Sequence, residues 1–172
     1  MRYLLYHGPV TEAGVRNVET LLTVAVNEGE TEVTLCLASH GGDVNAGTGL
    51  YNFIQMLPLK LYTHAIGICE SIAVTVMLAG ERRTAAPLSS FSLHAATYGD
   101  GPFKGQISPY TNLISQPFRD KLKWSDADLV TRFSTFDFRM GPEEAKELGL
   151  ISEITSPKLG RDEQMIPVHI PS

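Results

Sequence analysis

The sequence predicts an α/β fold with parallel strand pairing, because strand and helix patterns alternate from residue 2 to residue 93. A second observation supports this prediction. Three of the strand patterns end in residues suited to chemistry, and sites in parallel sheets form at the carboxyl ends of the strands. The length of 172 residues, with no internal repeat or low-complexity tract, indicates one domain that can bury a substantial core.

The first half of the chain carries the clearest periodicity. The predicted strands span residues 2–6, 32–38, 59–66, 84–86 and 90–93. Helices are predicted after Thr11, from Ala46 and after Ser71, and the first of them keeps Val15, Val18 and Leu22 at helical spacing. Gly67 is predicted to end the third strand.

The second half is less regular. It is predicted to hold a loop at 95–105, a helix at 109–124 interrupted by Pro117, helices opened by Ser125 and Pro142, and a closing strand at 150–154. Residues 1–155 then form the domain. The tail 156–172 holds three prolines and little core material, so it is predicted to be extended or mobile.

Composition excludes several classes of function. A net charge of −5 without a basic run argues against nucleic acid as a partner. The longest apolar run, 72–79, is too short to cross a bilayer, and the N-terminus has no signal-peptide pattern. Cys36 and Cys69 fit reduced core residues, which predicts a cytoplasmic protein. No cofactor or metal is expected.

Ser71 lies between a strand pattern and a buried helix pattern. By itself it is best explained as a helix cap. It becomes a candidate nucleophile if a base, an acid and oxyanion donors lie nearby. The Ile72 N–H and the Gly42 N–H are the candidate donors, and His94, at the end of a strand, is the candidate base. Asp137 is the candidate acid, predicted to be drawn inward by its aromatic neighbours.

These residues resemble the motifs of the ClpP peptidase family, within the larger ClpP/crotonase fold of repeated β-β-α units. The segment Ser39–Gly47 is similar to the family's Ser-Pro-Gly-Gly-Ser-Val-x-Ala-Gly, and 67–71 resembles its nucleophile turn. Leu93-His94 and 137–151 resemble the base and the acid with the helix behind it. The resemblance covers residues 2–155. It implies Ser71 as nucleophile, His94 as base, Asp137 as orienter, and Gly42 and Ile72 N–H groups as the oxyanion hole.

The chain departs from the family pattern at several places. His40 replaces a proline and Glu70 replaces a small residue; Glu70 is expected to face solvent or to pair with Arg82 or Arg83, with little effect on activity. The segment between His94 and Asp137 is shorter than in the family. The resemblance implies a homo-oligomer, with stacked rings as one form of it. An ATPase unfoldase partner is doubtful, because the chain starts directly on the first strand.

Three functions stay open at this point. The first is a serine peptidase that acts on peptides or unfolded proteins through an acyl-enzyme. The second is a catalytically weak or inactive ring-forming scaffold, supported by Glu70 and the shortened segment. The third is a crotonase-type coenzyme A thioester enzyme, which would use Gly42 but leave Ser71, His94 and Asp137 without a role.

Overall fold

The computed structural model describes residues 1–171, which form eight strands and six helices. The strands are β1 Arg2–His7, β2 Glu32–Ser39, β3 Lys60–Glu70, β4 Arg82–Ala85, β5 Ser90–Leu93, β6 Phe138–Met140, β7 Glu153–Ile154 and β8 Gln164–Pro167. The helices are α1 Glu12–Asn27, α2 Val44–Met56, α3 Ile72–Met77, α4 Tyr110–Leu122, α5 Asp126–Arg132 and α6 Pro142–Glu147.

One sheet runs through the molecule in the order β6-β5-β3-β2-β1-β8, and off this path β4 pairs with β3 and β7 pairs with β4. All pairs are parallel except β5 with β6. The strand β3 is long enough to serve two partners on one side: residues 62–65 pair with β4, and residues 68–70 pair with β5. The predicted α/β class with mostly parallel pairing is therefore confirmed.

The two helices that lead to the candidate site start where side chains cap them. Thr11 Oγ1 accepts the Gly14 N–H at 3.0 Å, and Asp43 Oδ1 accepts the Ala46 N–H at 2.8 Å. Such caps satisfy N–H groups that have no partner within the helix. Asp43 is the last residue of the 39–43 loop, so its cap fixes the point at which the loop ends and α2 begins.

Two predicted features are wrong. Gly67 does not end the third strand, since β3 continues to Glu70 and places Ser71 directly at its end. Pro117 does not interrupt α4, which runs through it. The tail is extended at residues 164–167, but β8 also pairs with β1, and Val168 is buried. The division at residue 155 is not visible as a break in the sheet.

The apolar residues of the 109–124 segment serve mainly this chain's own core. Ile114, Phe118 and Trp124 are buried, whereas Leu113 on α4 is about half exposed. Among residues 1–171, none of the helices combines the length and the apolar character that a membrane crossing requires.

Candidate active site

Ser71 has a backbone conformation that serines rarely adopt. Its φ is 56° and its ψ is −132°, immediately after β3 and before α3. A non-glycine residue in this region costs about 1–3 kcal/mol, and such strain is found mostly at functional sites. The conformation is held by the Ser71 N–H, which donates to the Ser92 carbonyl at 2.8 Å, and by the Ser71 carbonyl, which accepts the Val74 N–H at 3.0 Å.

The capping explanation for Ser71 is wrong. Its side chain accepts no hydrogen bond from the first turn of α3. By contrast, Ser125, at the start of α5, forms a complete capping box with Asp128. The Ser71 hydroxyl therefore has no structural task of the kind that the sequence suggested.

Ile72 is fully buried and fixes the start of α3. A Cβ on Gly47 of α2 would come within 2.3 Å of Ile72 Cγ1, so only glycine permits this close packing of α2 on α3. As the first residue of a helix, Ile72 has an N–H without an intrahelical acceptor. Within residues 1–171 this N–H donates no hydrogen bond.

The Gly41–Gly42 loop lies directly against Ser71. A Cβ on Gly41 would be 2.7 Å from Ser71 Cβ and 3.3 Å from Ser71 Oγ, and its φ of +90° also favours glycine. A Cβ on Gly42 would meet the Val10 carbonyl oxygen at 2.3 Å. In the described part of the chain the Gly42 N–H also has no acceptor. Among the described residues, two N–H donors are therefore unused: that of Ile72, next to Ser71 in sequence, and that of Gly42, next to the Gly41 that packs against Ser71.

His94 follows β5, the strand next to β3. The register pairs Glu70 with Ser92, so the backbones that lead to Ser71 and His94 run side by side. The half-buried His94 ring donates from Nδ1 to the Ala95 carbonyl at 2.8 Å, because a carbonyl can only accept. This bond fixes the tautomer in which Nε2 is left as the proton acceptor.

Asp137 reaches the same region through β6. Leu93 pairs with Phe138 in the antiparallel register, and continuing that register by one residue brings Asp137 opposite His94. Its carboxylate, however, accepts a hydrogen bond from Arg139 Nη2 at 2.8 Å, and no bond between Asp137 and His94 occurs among the described residues. The expectation that aromatic neighbours draw Asp137 inward is wrong: Asp137 is exposed, and Phe136 is 82% exposed.

Glu70 and His40 are partners of each other. Glu70 Oε2 accepts a hydrogen bond from His40 Nδ1 at 2.8 Å. The expected pairing of Glu70 with Arg82 or Arg83 is wrong, since Arg82 pairs with Glu153 and Arg83 donates to the carbonyls of Leu150, Gly80 and Gly149.

The cysteines do not supply an alternative nucleophile. Both are free and buried. Burial raises the pKa of Cys36 to about 11, and burial together with the charge of Glu70 raises the pKa of Cys69 to about 12. Both thiols are therefore neutral at physiological pH and poor nucleophiles. Residues 1–171 contain no group of three or more His, Cys, Asp or Glu side chains arranged to hold a metal ion.

Sequence reasoning missed Arg139 as the partner of Asp137 and missed the His40–Glu70 pair. The first had a signal, because residues two apart on a strand project to the same face, but no strand was predicted at 138–140. The second depends on the pairing of Ser39 with Cys69, which only the register of β2 and β3 reveals.

Comparison with known proteins agrees with this architecture. A solved ClpP1 mutant from Listeria monocytogenes has a similar fold, with a TM-score of 0.83, 21% identity, and coverage of 91% of this chain and 92% of that one. The family model described as Clp protease matches residues 1–158. The chain therefore belongs to the Clp protease family.

Relatives with named functions are distant in sequence. The ATP-dependent Clp protease proteolytic subunit of Bacteroides thetaiotaomicron is 29% identical over 153 residues, covering 83% of this chain and 68% of the relative. The ATP-dependent Clp protease proteolytic subunit 2 of Borreliella burgdorferi is 26% identical over 156 residues, covering 84% and 77%.

Proposed function

We propose that this protein is a serine peptidase that cleaves peptide bonds through an acyl-enzyme on Ser71. The observation that carries the proposal is the strained Ser71, whose hydroxyl caps nothing. Ser71 is followed by the unused Ile72 N–H and packs against Gly41, which precedes the unused Gly42 N–H. Strained backbone and unsatisfied N–H donors both lower the stability of the folded state, and their presence together favours a catalytic explanation. Family membership favours the same reaction over coenzyme A chemistry.

Four residues carry out the bond-making and bond-breaking steps of the proposed reaction. Ser71 Oγ attacks the scissile carbonyl carbon while His94 Nε2 accepts its proton, and the N–H groups of Gly42 and Ile72 donate to the oxyanion. His94 then returns the proton to the leaving amine, and the carbon–nitrogen bond breaks. Water attacks the resulting ester with His94 again as base, which releases the acid and restores Ser71.

Orientation of His94 is the step with two candidate partners. In the structure the Ala95 carbonyl accepts from Nδ1, which fixes a tautomer suited to the base. Asp137 takes over this role if it leaves Arg139, because a carboxylate also stabilises the imidazolium that forms during attack. We propose that Asp137 is the orienter in the working enzyme.

The test is labelling with a fluorophosphonate probe, which modifies activated serines. We expect the wild-type protein to be labelled and the Ser71→Ala variant not to be. Ser125→Ala is the matched control, since it also removes a serine hydroxyl at a helix start but should cost only about 1 kcal/mol of stability. An unlabelled wild type, folded by circular dichroism, would contradict the proposal.

An inactive scaffold is the second candidate, and one observation favours it. Asp137 is bound to Arg139 and His94 to the Ala95 carbonyl, so the acid and the base do not contact each other. The same labelling experiment decides between the two, since a scaffold needs no activated serine.

We further propose a homo-oligomer that acts on short peptides or unfolded chains in the cytoplasm. Phe103, Ile107, Tyr110, Leu113 and Val130 are large apolar side chains exposed on this single chain, which is typical of an interface. The named relatives are ATP-dependent. Sedimentation combined with peptidase assays, with and without an unfoldase and ATP, measures both properties. We expect an oligomer whose cleavage of short peptides does not require ATP.

A further inference from the structure

The Gly41–Gly42 loop is anchored unequally on its two sides. Toward β1, the backbone holds it: the Val10 N–H donates to the Gly41 carbonyl and the Asp43 N–H donates to the Val10 carbonyl, each at 2.8 Å. Toward β3, regular pairing ends at Ser39 and Cys69, after a register shift at residue 38. The loop therefore leaves the sheet on the side where Ser71 lies.

One side-chain contact bridges that second side. Among the described residues, the hydrogen bond from His40 Nδ1 to Glu70 Oε2 is the link between the loop and the end of β3. His40 immediately precedes the two glycines, and Glu70 immediately precedes Ser71. The bond thus joins the chain segments that carry one oxyanion donor and the nucleophile.

The position of Glu70 suits it to this contact. Its side chain is 22% exposed, whereas that of His40 is 76% exposed. The charged groups nearby do not take Glu70 away from His40. Arg139 bonds to Asp137, and the pKa of Arg139 is raised first by that bond and by the charge of Asp137, with Glu70 a weaker influence. Asp43 caps the start of α2, where its carboxylate accepts the Ala46 N–H. Glu144 on α6 lines the same cavity of about 280 Å³ as Glu70 and Arg139.

We propose that Glu70, acting through His40, is a positioning residue that holds the Gly41–Gly42 loop against Ser71. Glycines at positive φ are conformationally permissive, so this loop needs an external restraint to keep the Gly42 N–H aimed at one point. An oxyanion donor is effective only when its direction is fixed before the charge develops. The consequence for catalysis rests on the proposed peptidase function, whereas the consequence for loop motion does not.

The first experiment measures loop motion by amide hydrogen exchange in the full-length protein, so it does not depend on activity. Glu70→Ala and His40→Ala should each accelerate exchange of the Gly41 N–H, which donates to Ser39 Oγ, about five-fold. This is the effect expected from losing an exposed pair. The Asp43 N–H is anchored on the β1 side and should exchange unchanged. Glu144→Gln removes a neighbouring carboxylate without touching the loop and is the matched control. Equal exchange of the Gly41 N–H in wild type and both variants would overturn the proposal.

The second experiment measures peptide hydrolysis. Glu70→Ala and His40→Ala should each lower kcat about five-fold with KM nearly unchanged, because the Gly42 N–H donor is displaced rather than removed. The double variant should be no slower than either single variant, and His40→Lys, which offers Glu70 another N–H donor, should restore most of the rate. If the fold-loss in kcat of the double variant equals the product of the two single losses, Glu70 and His40 act independently and the proposal is overturned. A wild type without serine labelling would refute the peptidase function and leave the exchange result to decide the loop restraint.

Discussion

The two halves of the candidate site differ in how firmly the fold holds them. The nucleophile half comprises Gly41–Gly42 and Glu70–Ile72, next to the long central strand β3. The acid half comprises His94, Asp137 and Arg139 and depends on β6, a three-residue strand at the edge of the sheet. In the first, backbone strain, close glycine contacts and unused donors coincide at Ser71. In the second, the register places His94 opposite Asp137, but His94 bonds to the Ala95 carbonyl and Asp137 bonds to Arg139.

Central and edge strands suit different tasks. A residue at the end of a strand with partners on both sides is fixed when the sheet forms. A residue beside a short edge strand keeps its side-chain alternatives, because few buried contacts decide among them. We infer that folding alone organises the nucleophile half, and that the acid half can rearrange after folding. The following predictions test this difference.

The largest expected effect is on the acid half. If Asp137 replaces the Ala95 carbonyl as partner of His94 during catalysis, Asp137→Asn should lower kcat by about 10⁴-fold, because the amide cannot support the imidazolium. Measured peptide hydrolysis decides this. Asp126→Asn, which removes an exposed carboxylate paired with Arg119, is the control and should be nearly neutral. A near-wild-type Asp137→Asn would mean that the acid half never assembles.

The next effect concerns the nucleophile half. Gly41→Ala should destabilise the protein by about 3 kcal/mol, because its Cβ would lie 2.9 Å from the Glu70 carbonyl oxygen and 2.7 Å from Ser71 Cβ at a positive φ. Urea denaturation measures the loss. Gly49→Ala is the matched control in α2, where a Cβ meets nothing within 4 Å, and should be stabilising by up to about 1 kcal/mol. Equal stability of the wild type and the Gly41→Ala variant would show that the loop shifts to accommodate the added Cβ at little cost in free energy.

A smaller effect tests whether Arg139 restrains Asp137. Arg139→Gln should free the carboxylate and raise the acylation rate by about two- to five-fold, since an exposed ion pair is worth at most about 1 kcal/mol. Arg82→Gln breaks a comparable exposed pair with Glu153 and should leave the rate unchanged. Stopped-flow labelling gives both rates. A slower Arg139→Gln variant would show instead that Arg139 assists the site.

The smallest effect concerns β3 beneath the nucleophile half. Burial lowers the pKa of His64, whose Nδ1 lies 2.7 Å from Thr84 Oγ1. The unfolded chain therefore takes up a proton more readily than the folded one, so the free energy of unfolding should fall as the pH drops below about 6.5, by at most about 1.4 kcal/mol per pH unit. Denaturation at several pH values should show this slope, and His64→Gln should reduce it. An unchanged slope in that variant would assign it to other groups.

Local signals were enough to predict much of the nucleophile half. The apolar alternation of β2 and β5, the paired glycines and the strand-to-helix change near Ser71 are all encoded within a few residues. The conformation of Ser71 itself was not predictable, because it follows from contacts with Gly41 and Ser92, distant in sequence. Its catalytic role and that of His94 and Asp137 stay predictions until labelling and kinetics are measured.

The acid half and the tail were poorly predicted for one physical reason. The strands β6 and β8 are three and four residues long and have weak patterns of their own. Their existence depends on partners: β6 on β5, and β8 on β1. Asp137 was expected inside because β6 was not predicted, and without that strand the shared face of Asp137 and Arg139 could not be recognised.

The pairing of β8 with β1 has a consequence for biosynthesis. The strand β1 pairs on one side with β2 and on the other with β8, which is translated after every other strand of the described sheet. Until β8 has been translated, the nascent protein therefore presents the open edge of β1, with its unpaired backbone groups, to other chains. The strand β8 lies beyond residues 1–158, the range that matches the family model.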